Sequence, residues 1–314
     1  MGIENGNGEN DTLLGRVSIL FVLVAAMLWG TTGTAQALAP AGVHPISFGA
    51  MRLAIGGLTL FVFIWIQGKI SFNNWPKKLL FLAVICMTLY QPFFFTAVSM
   101  TGIAVGTVIG IGSAPITAGL LEWIVQKKRP TKQWGIATSV AIIGCLLLFI
   151  QKEAVSLNMT GVICAFAAGT SFAGYTLVSK QLIKSHSPNT VVAVVFTLSG
   201  MCLLPSLFLF DLTWFLEVNG FVSSLYIGVI ATAFAYLLFA KGLMNVSGST
   251  AVTLTLAEPM TAALLGVFLI GETLNWISWI GVFCIFIAII IISMKPKKLK
   301  NDRDVPVSIR KVGG

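Results

Sequence analysis

Ten apolar stretches, each near the ~20 residues a helix needs to cross a hydrocarbon core, follow one another along this chain and leave it few folds. They run over Val17–Ala39, Pro45–Gln67, Leu79–Met100, Ile103–Gln126 and Gln133–Ile150, then Leu157–Ser179, Val191–Phe210, Val218–Ala240, Thr250–Gly271 and Thr273–Met294. Each stretch is continuous, whereas a transmembrane barrel would show short alternating segments. Backbone amides in lipid must be satisfied within their own span, so ten helices are expected. Composition agrees. Of 314 residues, 56% are hydrophobic and 10% charged, with a mean hydropathy of +0.92, where a soluble domain carries roughly a quarter charged residues. A soluble enzyme, a secreted disulfide domain and a disordered chain are thereby excluded. The net charge of +9 does not argue for nucleic acid, because the basic residues sit in gaps between apolar runs and in one tail.

Where those charges sit predicts orientation. With the N-terminus in the cytoplasm, 18 of the 20 Lys and Arg fall on the cytoplasmic side, Lys152 alone falls outside, and Arg52 lies within a span. Cytoplasmic loops carry such an excess, and dropping one helix would scramble it. The expected class is an all-α membrane protein of ten transmembrane helices with both termini cytoplasmic. The first apolar run exceeds a signal h-region, follows an acidic start and lacks a cleavage pattern, so it reads as a span. Residues 1–12 and 295–314 read as mobile cytoplasmic tails. Cys86, Cys145, Cys164, Cys202 and Cys284 fall in five different spans, and only two histidines accompany them. They read as packing residues, and no metal or other cofactor is expected. Trp65, Trp75, Trp123, Trp134, Trp214, Trp276 and Trp279 lie near span ends and read as an interfacial belt.

The chain also repeats. Ala114-Pro115-Ile116-Thr117-Ala118-Gly119-Leu120-Leu121 matches Glu258-Pro259-Met260-Thr261-Ala262-Ala263-Leu264-Leu265 at an offset of 144 residues. Gly135 pairs with Gly281 at 146, and Gly30-Thr31 pairs with Gly169-Thr170 at 139. Halves of five helices each, residues 13–151 and 152–294, are implied. Five is odd, so the second half enters from the opposite face, and the halves form an inverted repeat. Many secondary transporters are built so, with substrate held near the midplane between the halves.

Several of these residues resemble a known family. Leu28-Trp29-Gly30-Thr31 is similar to the Leu-Trp-Gly-Ser/Thr signature of the EamA-type transporters of the drug/metabolite transporter superfamily. An ordered set in the second half strengthens the resemblance. It comprises Tyr236, Gly242-Leu243-Met244, Ser247-Gly248-Ser249-Thr250-Ala251, Ala257-Glu258-Pro259, Leu269-Ile270-Gly271-Glu272 and Gly281. Arg52 sits where the family usually carries an arginine. The chain departs from the pattern at the end of the fourth span, where Lys127-Lys128 stand in the positions paired with Gly271-Glu272. The resemblance implies transport of a small metabolite, such as an amino acid, a nucleoside or another amphipathic solute, across the cell membrane.

From the residues themselves, charge deep in a span is costly and marks function. Glu258 lies near the midplane with Pro259 behind it, and a buried carboxyl there could take up and release a proton or pair with a cationic substrate. Fixing helix packing is the alternative. Arg52 lies close enough to the outer face to snorkel or bond a neighbouring helix, with contact to a substrate carboxylate as a further alternative. Glu122 is expected to pair at the surface with the Lys127–Arg129 cluster. Trp29 and Thr31, with Thr32, Thr34 and Gln36, suit close packing or a wet cavity. Tyr90 and Gln91 precede Pro92, and Ser171, Tyr175 and Tyr236 lie on helices that the family uses to line its cavity. The expected substrate contacts are Trp29, Thr31, Tyr90, Gln91, Tyr175, Tyr236 and Glu258, with Glu258 also the proton-coupling candidate. The glycines at 102, 106, 110 and 112 form a close-approach seam. The partners expected are a small-molecule substrate and membrane lipid, with no nucleic acid; the sequence leaves the oligomeric state open. A channel, a non-transporting sensor and an intramembrane enzyme are the rival readings. The last would need a paired-aspartate, Ser/His or zinc constellation at depth, and Asp211 is the only aspartate in an apolar setting.

Overall fold

The structure, a computed structural model, describes residues 4–40, 43–68, 75–149, 158–271 and 273–294. All regular structure among these residues is helical. Ten helices are long and apolar enough to span a membrane. In chain order these first to tenth spans are Leu13–Gln36, Ile46–Ile66, Lys77–Gly102, Val105–Gln126, Lys132–Phe149, Met159–Leu182, Pro188–Leu207, Val218–Leu243, Gly248–Leu269 and Trp276–Ser293. They coincide with the apolar stretches to within a few residues. The first helix begins earlier, at Glu4, so residues 4–12, expected as a mobile tail, continue it. Once a turn is nucleated, adding residues to a helix costs little. The basic tail 295–314, Lys69, Lys152 and Glu272 lie outside the described residues.

Lipid supplies no hydrophobic drive between helices, so association rests on close packing of small residues. Here those contacts also reveal the repeat. The second span packs on the seventh and the fifth on the tenth, while the first packs on the eighth and ninth and the sixth on the third and fourth. A Cβ added at Gly57 would meet Phe196 O at 2.8 Å, and one at Gly200 would meet Leu53 O at 2.9 Å. Likewise Gly144 faces Gly281 O at 2.7 Å and Gly281 faces Gly144 O at 2.6 Å. Such reciprocity is what a two-fold relation requires, and it fits two inverted halves. Gly281 thus contacts Gly144, whereas its counterpart in the sequence repeat, Gly135, has open space around it.

The spans are not uniform rods. Gly102, at φ 83° and ψ 161°, reverses the chain between the third and fourth spans, a conformation only glycine adopts readily. A Cβ on Gly106 would meet the Val98 backbone at 2.9 Å, so this part of the glycine seam packs the hairpin closed. In the ninth span Pro259 lacks the N–H that would reach Thr255 O. The helix accordingly stops at Leu254 and resumes at Ala257, with Glu258 N donating to Thr255 O at 2.9 Å. The eighth span widens into a π-helical stretch over Tyr226–Phe234, a feature common at functional sites.

Candidate functional site

Where the halves meet, Trp29, Arg52, Tyr90, Gly110, Ile111, Ala114, Phe172, Tyr236, Thr255 and Glu258 line a cavity of about 30 Å³. That is room for a water or two. Its walls are related by the repeat: Ile111 and Thr255, and Ala114 and Glu258, stand 144 residues apart, and Tyr90 and Tyr236 stand 146 apart. The cavity therefore lies at the join between the two copies, with Ile111 and Ala114 facing the polar counterparts Thr255 and Glu258 while the tyrosines are shared.

Local structure explains how each side chain arrives there. The break before Pro259 puts Thr255 and Glu258 on the wall. Gly30 lets the first span come so close that a Cβ on it would meet Glu258 O and Thr261 Cβ at 2.7 Å, which sets Trp29 beside Glu258. On the sixth span Gly169 plays the matching part against Gly110 O and Ala114 N. The π-helical stretch turns Thr232 toward the second span, where Arg52 Nε donates to Thr232 Oγ1 at 2.7 Å. Arg52 thus faces the interior and does not snorkel, because its partner lies on the eighth span inside the bundle. Arg52 and Glu258 share the cavity without forming an ion pair.

Aromatic rings close one side. Trp29 lies 4.6 Å from Tyr236, 5.3 Å from Phe239 and 5.8 Å from Phe172, ring centre to ring centre. Tyr236 in turn lies 4.4 Å from Phe196. Trp29 is 3% exposed, and its Nε1 has no hydrogen-bond partner among the described residues. A buried unpaired donor is expensive, and here it stands at a cavity wall.

Of the residues singled out from the sequence, Trp29, Tyr90, Tyr236 and Glu258 meet at this cavity. Thr31, Gln91 and Tyr175 are set back from its wall. Thr31 Oγ1 shares a 2.8 Å hydrogen bond with Tyr226 OH, and Thr32 Oγ1 bonds back to Trp29 O. Gln91 is buried, and its Nε2 has no partner among the described residues. Tyr175 packs behind the wall against Tyr236 and Phe196. Phe172 reaches the cavity from the sixth span, where Ser171 was expected. Sequence reasoning missed Thr255, although two signals pointed to it: it is four residues before Pro259 and is the repeat partner of Ile111.

Two peripheral expectations are corrected, and the place of a third residue is fixed. Glu122 is 6% exposed and makes no surface pair, since its Oε2 accepts from Ser249 N at 3.0 Å. Trp214 is buried in a cluster with Phe48 and Ile227 and so does not belong to an interfacial belt. Asp211 is exposed and accepts from Thr213 N and Oγ1 at 2.9 and 2.8 Å. These bonds hold its carboxyl below the usual carboxylate range, and its role is to shape a turn.

Ten membrane-length helices in two packed halves, with a polar cavity where they join, define a multi-pass integral protein of the cell membrane built as a membrane transporter. The chain belongs to the EamA-like transporter family, which it matches twice, over residues 16–150 and 159–294. It is 54% identical over 287 residues to the uncharacterized transporter YwfM of Bacillus subtilis (strain 168), covering 91% of this chain and 97% of that one. It is 26% identical over 283 residues to the threonine/homoserine exporter RhtA of Escherichia coli (strain K12), covering 86% of this chain and 89% of that one. A solved structure shares the fold with a TM-score of 0.75 at 17% identity, over 90% of this chain and 96% of that one.

Proposed function

We propose that this protein is a secondary transporter that moves a small zwitterionic, amino-acid-like metabolite by alternating access, with both termini in the cytoplasm. The observation that carries the substrate class is one cavity holding a cation, Arg52, and an acid, Glu258, that do not pair with each other. A substrate carboxylate satisfies the first through its guanidinium fork, and a substrate ammonium satisfies the second. The rings of Trp29, Tyr90 and Tyr236 cover the apolar part, and Trp29 Nε1 offers one more donor. Thr31, Gln91 and Tyr175 form the layer behind them. Similarity to a threonine/homoserine exporter supports the same class.

The small cavity supports alternating access. At about 30 Å³ it is far below the ~300–1,000 Å³ of an open small-molecule site, so a metabolite enters only when the helices part. Glu258 is the proton-coupling group in this reading, since a carboxyl that meets the substrate in one state and water in another exchanges its proton during the cycle. A thermal-shift screen of the purified protein tests the substrate class, using amino acids beside the amines and carboxylic acids that lack one of their two charges. Amino acids are expected to raise the unfolding temperature and the single-charge analogues are not. Shifts by nucleosides alone would overturn the assignment.

A further inference from the structure

From the cavity toward the basic end of the bundle, small buried residues continue the walls. On the fourth span, residues four apart share a face, and that row runs from Ala114 at the cavity through Ala118 to Glu122. On the sixth span the matching row runs from Phe172 through Thr176 to Lys180. Ala240 lies one turn beyond Tyr236 on the eighth span, and Ala251 one turn beyond Thr255 on the ninth. Ala118, Thr176, Ala240 and Ala251 are all essentially inaccessible.

Past these four residues the path ends at two charges. Lys180 Nζ donates to Leu243 O at 2.8 Å and Val246 O at 2.6 Å, at the C-terminal end of the eighth span. Glu122 Oε2 accepts from Ser249 N in the first turn of the ninth. Each sign suits the helix end it meets. Both charges therefore grip one connection, Leu243–Ser249, from the fourth and sixth spans. The same connection also meets the first span, where Asn245 Nδ2 donates to Ser18 Oγ at 3.0 Å and a Cβ on Gly242 would meet Ser18 O at 2.7 Å, while Gly248 at its far end packs against Leu177 of the sixth. The two charges thus supply polar ties from the fourth and sixth spans to a connection that also bonds the first.

We propose that Glu122 and Lys180 are positioning residues for transport, latching the Leu243–Ser249 connection across the basic end of the route. Resting on the alternating-access reading, the latch is the part that must release for the small-residue rows to open toward the cavity. Permanent helix-end capping would make the same bonds but would never release.

Accessibility separates the two. Thr176→Cys, in a chain whose five native cysteines are replaced by alanine, places a thiol one turn behind Lys180. It is exposed to a membrane-impermeant maleimide in vesicles that present the basic end. Labelling is expected to be slow with the latch intact, about tenfold faster with Glu122→Gln or Lys180→Met, and slow again with Lys180→Arg. Slow labelling in both charge-removing variants overturns the latch. So does loss of folding, seen by gel filtration, in both of them, since a releasable tie is not required for the fold. The two variants lie on different helices, and one that folds suffices. Labelling does not depend on flux, so fast labelling without transport would remove the transporter reading and leave the latch standing.

Discussion

At the scale of single residues, Glu258 and Tyr236 carry the most weight. Glu258→Gln keeps the shape of the wall and one acceptor oxygen but cannot exchange a proton. It is expected to leave the gel-filtration profile unchanged and to flatten the pH dependence of flux; a parental pH profile would remove Glu258 from coupling. Tyr236 touches Trp29 and Phe196 and lines the cavity, whereas Trp279 is 42% exposed on the lipid side. Tyr236→Ala is expected to weaken ligand binding about tenfold, the upper range for losing buried aromatic contacts, and Trp279→Ala to leave it unchanged. Equal effects, read by calorimetric titration, would contradict the cavity assignment. Glu258 was legible in the sequence because its depth and its proline are both written there. Arg52 was legible in part: a bond to another helix was one of its readings, but a sequence gives depth along a span and not which way the side chain faces. Glu122 misled because Lys127, Lys128 and Arg129 are near in sequence, while its partner, Ser249, is 127 residues away.

At the scale of elements, the departures from regular helix build the site. The break before Pro259 follows from proline chemistry and is readable in advance. The π-helical stretch over Tyr226–Phe234 is not, because no residue in it marks the widening, and it is what aims Thr232 at Arg52. Close helix approach is likewise only half legible. A glycine in a span announces small-residue packing, but its partner depends on the fold. Gly30 meets the backbone at Glu258, while Gly112 has nothing within 4 Å. Gly30→Ala is therefore expected to cost about 1–3 kcal/mol through overpacking and to displace Trp29 from Glu258. Gly112→Ala is expected to be neutral or mildly stabilising, since alanine favours helix. Unfolding midpoints in detergent check both, and equal midpoints would mean that the first and ninth spans are not in contact.

At the scale of the whole molecule, the ten spans were legible because lipid imposes length and continuity on each of them. The repeat was legible because Ala114-Pro115 and Glu258-Pro259 kept their surroundings. Missing from the sequence was the assembly: reciprocal glycine contacts across the second and seventh spans and across the fifth and tenth, and a cavity at the join whose opposite walls are repeat-related. That arrangement fits the proposal of two units that move about the cavity while either end stays closed, a carrier as opposed to a continuously open pore. The most direct measurement is amino-acid flux into proteoliposomes as a function of concentration, with and without amino acid on the opposite side. The account predicts flux that saturates and is accelerated by substrate on the far side. Flux that rises without saturation and ignores the far side would contradict it.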